Sequence, residues 1–285
     1  MKRREFIQAG SLLAVGAMAL PSITFGAKRK FDIGLQLYTL RDIIGTDPKG
    51  VLKKIADAGY TTLEAYSYND GSIFGMNYID FSKHANSLGM KITSGHYGLA
   101  MTKGDKWEKA VADAKAIGQE YIIVPYLSAP ERSKIDDYKG ICEALNKAGE
   151  VCNKYGVRFG YHNHDFEFKA IDGQVPFDLM MKELDPKKVG MELDLYWVVA
   201  AGFDPATYFE KYPGRFEQWH VKDMDKADKT KNAVLGEGSI DFKSLFTKKN
   251  TKLSGLKRIY VEQESYKGEP IDCIKPNADY LKSIL

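Results

Sequence analysis

Three cysteines in 285 residues are too few for a disulfide framework. Cys142 and Cys152 lie on one expected helix, roughly 15 Å apart at ~1.5 Å per residue, beyond disulfide reach. They and Cys273 read as packed thiols, even in an oxidising compartment. Clustered basic charge is also missing. The formal charge is +3, and Lys2, Arg3, Arg4 and Glu5 supply +2 of it, so the rest of the chain is near neutral. Nucleic acid is excluded as a partner, because phosphate neutralisation needs clustered Lys and Arg. No glycine-rich phosphate fingerprint follows any strand-like segment, which disfavours a doubly wound nucleotide-binding sheet. No low-complexity linker divides the chain after its first thirty residues, so one domain is expected there.

The apolar run from about Ala9 to Leu20 is shorter than the ~20 residues a membrane span needs. It follows the basic start MKRRE and precedes the small residues Gly26 and Ala27, the order of an export signal. Arg3-Arg4 followed by Glu5, Phe6 and Ile7 resembles a twin-arginine signal, whose cargo usually crosses the membrane folded. No cysteine follows the run, so neither a lipoprotein anchor nor another stable membrane anchor is expected. Residues 1–27 are read as the signal and 28–285 as the folded domain, resident in the periplasm.

What is present is a regular alternation. Apolar segments at 31–37, 60–65, 90–95, 121–126, 157–163, 189–194, 216–221 and 257–262 read as strands. Helical patterns of period near 3.6 separate them, the clearest at 139–155, where Ile141, Leu145, Ala148, Cys152 and Tyr155 form one stripe. Gly59, Gly89, Gly118 and Gly156 stand where helices stop before a strand. Pro48, Pro176, Pro205 and Pro276 stand where helices start. Eight such units in a chain of about 255–260 residues predict an α/β fold, a single (β/α)8 barrel. The polar stretch 223–240 reads as a long loop after the seventh strand, on the catalytic face.

Metal-binding residue types end four successive strands: His162, Asp194, His220 and Glu262. Parallel barrels bring those ends together on one face, and two imidazoles with two carboxylates there suit one divalent transition metal. Residues two apart share a face of a strand. His164 therefore accompanies His162, Lys222 accompanies His220 and Glu264 accompanies Glu262, and spacing does not choose between the members of each pair. Glu64 ends the second strand and His96 follows the third, so both reach toward the mouth. Tyr66, Tyr68, Tyr97, Tyr196 and Trp197 flank the same ends, as aromatic linings of sugar clefts do.

These segments resemble the xylose isomerase-like TIM barrel superfamily, the sugar phosphate isomerase/epimerase group that includes inosose dehydratase. The likeness rests on GLQLYTLRD at 34–42, AGYTTLEAY at 58–66, YHNHDFEF at 161–168, VGMELDLYWVVAAG at 189–202, HVKD at 220–223 and YVEQE at 260–264. The resemblance implies one divalent ion (manganese, cobalt, zinc or magnesium) held by Glu, Asp, His and Glu. Asp194, His220 and Glu262 match the last three. The first is His162 here, where the group's epimerases carry a glutamate that acts from the opposite face of the sugar. A metal-tied imidazole is a poor general base.

The expectation is therefore a periplasmic, metal-dependent lyase or hydratase that enolises a keto sugar or polyol and then eliminates. Glu262 or Glu264 is the base, and Lys222 and His96 hold oxygens or protonate the leaving group. Glu64, His164, Tyr66, Tyr97 and Trp197 are the expected substrate contacts. A sugar isomerase or 3-epimerase with the same first step is the alternative, and a non-catalytic sugar-binding protein the third reading. The partner is a small carbohydrate, and a homo-oligomer is allowed. An endonuclease is disfavoured by the neutral charge and the single metal site.

Overall fold

The computed structural model describes residues 31–285, so the export signal read in residues 1–27 lies outside the described residues. Eight parallel strands close a barrel: β1 (Ile33–Gln36), β2 (Thr62–Ala65), β3 (Lys91–His96), β4 (Tyr121–Val124), β5 (Arg158–His162), β6 (Val189–Asp194), β7 (Phe216–Val221) and β8 (Arg258–Val261). Each strand neighbours its successor, and β8 closes onto β1 through Ile33–Ile259 and Leu35–Val261 pairing. Each segment read as a strand contributes one: 189–194 and 216–221 keep their bounds, 90–95 shifts by one residue to 91–96, and the others are trimmed by two or three residues in all.

Among the described residues eight α-helices have seven or more residues: α1 (Pro48–Ala58), α2 (Tyr78–Ser87), α3 (Trp107–Ala116), α4 (Ile135–Tyr155), α5 (Pro176–Glu183), α6 (Pro205–Lys211), α7 (Lys248–Ser254) and α8 (Ile274–Ile284). In α4 the residues Ile141, Leu145, Ala148 and Cys152 are buried, as the stripe predicts. Burying a side chain such as Leu145 stabilises the fold by about 1.5–3 kcal/mol. Pro48, Pro176 and Pro205 begin their helices, where no partner is lost for want of an N–H. Pro276 instead falls in the first turn of α8. Gly59 and Gly156 end α1 and α4 at φ 89° and 67°, a left-handed conformation that strains other residues.

Two register shifts shape the mouth. One falls between Leu63 and Glu64 against β3, the other between Met191 and Glu192 against β7. A bulge re-aims side chains where it occurs, and these two lie beside buried carboxylates. The stretch 223–240 is more ordered than its composition suggests. Asp223–Met224 pairs with Asn232–Ala233, and the Asp223 carboxylate accepts N–H bonds from Met224, Gly236, Gly238 and Ile240 at 2.8–3.1 Å. The three cysteines are buried and unpaired. Among the described residues no helix is long and apolar enough to cross a membrane.

Candidate metal centre and catalytic cavity

Asp194 ends β6 and caps the short helix Leu195–Ala200, its Oδ1 accepting the Trp197 N–H at 3.1 Å. Its Oδ2 is buried and has no hydrogen-bond partner. Around that oxygen stand His162 Nε2 at 3.7 Å, His220 Nδ1 at 4.0 Å and the Lys222 ammonium at 3.2 Å. Glu262 Oε2 lies 3.0 Å from the same His220 Nδ1. Asp194, His220 and Glu262 offer donor atoms all within 4.8 Å of one another, as one divalent cation requires, and His162 Nε2 stands beside Asp194.

The opposite ring nitrogens explain why the imidazoles sit this way. His220 Nε2 meets Glu64 Oε2 at 2.5 Å, and His162 Nδ1 meets Glu192 Oε2 at 3.1 Å. Gln36 is oriented by accepting the Tyr38 N–H, and its amide donates to Glu64 at 2.8 Å. The same amide lies 3.2 Å from His96 Nδ1, which must therefore accept, so the His96 proton sits on Nε2, 2.9 Å from Glu192. Ser94 adds a hydroxyl bond to Glu64 at 2.6 Å. Two carboxylates thus accept the lower N–H groups of His220, His162 and His96. His162 Nε2 is left facing Asp194, and His220 Nδ1 faces Glu262 at 3.0 Å and Asp194 at 4.0 Å. Carboxylate–histidine pairs of this kind orient metal ligands and raise their basicity. With the orphaned Asp194 Oδ2, this donor set fits a divalent metal.

Burial lowers His220, but Glu192 and Glu64 raise it well above its ordinary value, so a metal bound at this imidazole would displace a proton. Burial opposes ionisation throughout the centre, yet Lys222 and His220 hold Glu262 well below the usual carboxylate range. His96 and His220 do the same for Glu64, while burial and the adjacent Glu64 charge push Glu192 up to about 7. Burial and the neighbouring His220 keep His162 neutral, as a ligand must be. Lys222 is buried but remains cationic, ion-paired with Asp194, Glu262 and Glu264 at 3.2, 2.8 and 2.5 Å.

Above the centre opens a cavity of about 520 Å3, lined among others by His162, His164, Lys222, Glu262 and Glu264. In the pairs that spacing left open, both His162 and His164, and both Glu262 and Glu264, reach it. Tyr66 lines it as expected. Several expectations are corrected. Glu64 is fully buried beneath the centre and bonded to His220, so it supports a histidine instead of touching substrate. Tyr97 is buried against Gln119 and Trp107, and Tyr68 is tied to Asp113; both belong to the wall packing. Tyr196 is buried and donates to the Lys229 carbonyl. Trp197 packs beside His164, with ring centroids 5.2 Å apart, and is not among the residues lining the cavity. His96 lines the cavity, but both its nitrogens are engaged below, which removes it as acid to the leaving group.

Glu192, Gln36 and Ser94 were missed from the sequence. Glu192 carried a signal, since it lies two residues before Asp194 on the same strand face. Gln36 and Ser94 carried none, being ordinary polar residues within apolar strands.

A closed parallel barrel with an imidazole–carboxylate centre at its C-terminal mouth defines a (β/α)8 class with a candidate metal site. The family described as "Xylose isomerase-like TIM barrel" matches residues 52–284, and the chain belongs to it. It is 22% identical to an inosose dehydratase of Geobacillus kaustophilus over 274 residues, covering 82% of this chain and 86% of that protein. A sugar phosphate isomerase/epimerase structure from Parabacteroides distasonis superposes with TM-score 0.77 at 32% identity, covering 88% of this chain and 97% of that one. The IOLI protein with a bound zinc atom shares the fold at TM-score 0.71 and 14% identity, covering 89% and 98% of the two chains.

Proposed function

We propose that this protein is a divalent-metal-dependent carbon–oxygen lyase acting on keto sugars, exported to the periplasm. The observation that carries the reading is the pairing of Glu264 with the buried ammonium of Lys222 beside the donor set of His162, Asp194, His220 and Glu262. These residues would hold a divalent ion, whether manganese, cobalt, zinc or magnesium, which would supply Lewis acidity to a substrate carbonyl. Glu262, held ionised by Lys222 and His220, is a weak base and a good ligand. Glu264 is one-third exposed at the cavity and is the base. Its carboxylate removes the proton next to the carbonyl, and Lys222 donates a hydrogen bond to the oxygen where negative charge develops. The proton that Glu264 gains is the one the β-leaving oxygen needs. One carboxyl therefore serves a syn elimination, in which a C–H and a C–O bond break, a C=C bond forms and an alcohol departs.

Epimerisation needs a second acid on the far face. The group there is His162, which is neutral, with one nitrogen on Glu192 and the other turned to the metal site. The inosose dehydratase relative supports elimination in the same way. The test is incubation of metal-loaded protein with a 3-keto glycoside in deuterated water. Exchange at the carbon next to the carbonyl and growth of an unsaturated-ketone absorbance are expected, both reduced ~10²–10⁴-fold in Glu264→Gln. Inversion at the carbon next to the carbonyl, or at C3 of a free 2-ketose, without eliminated or hydrated product would establish the epimerase reading in its place.

A further inference from the structure

The cavity is larger and more aromatic above its polar floor than a single keto sugar requires. At about 520 Å3 it lies within the usual range of small-molecule sites, ~300–1,000 Å3. A hexose displaces roughly 180 Å3, taking about six waters at ~30 Å3 each. Two aromatic walls rise from opposite arcs of the barrel. Tyr38 and Tyr66 follow β1 and β2, with ring centroids 5.2 Å apart. Tyr126 follows β4 and meets the His164 ring, after β5, at 5.2 Å. Tyr38 is 39% exposed and Tyr126 48%, a large apolar face to leave in water unless something covers it. His164 brings a buried Nδ1 without a hydrogen-bond partner.

The charges exclude a phosphorylated occupant. Lys222 is the single Lys or Arg among the cavity-lining residues, and Asp194, Glu262 and Glu264 already surround it. Arg41 packs on Tyr38, and both its terminal nitrogens donate to protein oxygens, of Tyr38, Tyr266 and Glu264. Arg132 lies 3.6 Å over the Phe166 ring and donates to the Leu127 carbonyl. Phosphate recognition calls for free, clustered cations, and uncharged sugar rings call for aromatic faces with a few polar groups.

We infer that the outer half of the cavity, between Tyr38 and Tyr126, is a subsite for the second sugar ring of an uncharged keto disaccharide. This rests on the keto-sugar reading above and adds that the leaving group is itself a sugar.

Three probes test it on the metal-loaded protein: a 3-keto disaccharide, the methyl 3-keto glycoside of the same sugar, and the 6-phosphate of that methyl glycoside. The disaccharide should have a kcat/KM at least ~10-fold above the methyl glycoside, expressed mainly in KM, and the phosphate should be the poorest, one bound ring-stacking contact being worth this order of discrimination. Tyr126→Ala and Tyr38→Ala should reduce the disaccharide-to-methyl preference about tenfold, and Tyr126→Phe, which keeps the ring, should retain it. Equal kcat/KM for the first two probes, or preference for the phosphate, overturns the subsite. If no probe exchanges its C–H proton, the enzymatic reading fails on its own. Saturation-transfer NMR with the unoxidised disaccharide then judges the subsite separately. A transfer signal that disappears in Tyr126→Ala and persists in Tyr126→Phe supports it, and no signal with wild type overturns it.

Discussion

Asp194 divides its two oxygens between structure and chemistry, so one substitution separates them. Asparagine keeps an oxygen to cap the Leu195–Ala200 helix but offers a neutral, weaker ligand. Asp194→Asn is therefore expected to fold with an unchanged circular dichroism spectrum and to lose most of one metal equivalent in elemental analysis. Glu192 acts through the histidines. Glu192→Gln weakens the acceptor beneath His162 and His96, and metal affinity measured by competition with a chelator should fall ~10–100-fold. Glu167 gives a pH signature away from the donor set. Burial raises it from 4.5 to about 7, although Tyr161 and the His164 N–H both bond to it. A carboxyl whose pKa is raised on folding binds more protons folded than unfolded between those values, so stability falls as pH rises through that window. Urea midpoints across it should show this slope in wild type and lose it in Glu167→Gln.

Among the elements, the segment from Asp223 to Ile240 depends most on a single side chain. The Asp223 carboxylate gathers four backbone N–H groups, and within the gathered segment Asn232 Oδ1 accepts the Glu264 N–H at 2.8 Å. The loop therefore places the backbone that carries the proposed base. Asp223→Ala should cost on the order of 3 kcal/mol, since hydrogen bonds to a charged acceptor are among the stronger ones. Limited proteolysis should then cut within 225–240. Metal content should hold while kcat falls, because none of the donor residues lies in the loop. A kcat unchanged by a loosened loop would show that β8 alone positions Glu264.

At the scale of the whole molecule, the buried free thiols bear on handling. No disulfide spans the described residues, so a reducing agent should leave the thermal midpoint unchanged even for protein taken from an oxidising compartment. Export is the second prediction at this scale, and it rests on the first residues alone. Changing Arg3 and Arg4 to lysine should retain the protein inside the cell, as read by fractionation, because the arginine pair addresses the folded-export route. Export unaffected by that change would indicate an ordinary secretory signal.

Periodicity and punctuation alone carried the architecture. Alternating apolar strands and amphipathic helices, stopped by Gly59 and Gly156 and started by Pro48 and Pro205, have one compact closure when eight units follow one another. The same logic brought His162, Asp194, His220 and Glu262 to one face, because parallel strands share a C-terminal end. Side-chain depth was not legible. Glu64 and His96 read alike as mouth residues, but Glu64, beside a bulge, lies buried under the histidines, whereas His96 lines the cavity with both nitrogens bonded to that layer. Glu192, Gln36 and Ser94 are legible only as a network, since each matters for the nitrogen or carboxylate it meets across the barrel. Aromatic residues were placed near the cleft by position in the chain. Tertiary packing decided that Tyr97 and Tyr68 fill the wall while Tyr38 and Tyr126 stay exposed at the rim, because a ring's exposure depends on what the neighbouring loops lay over it.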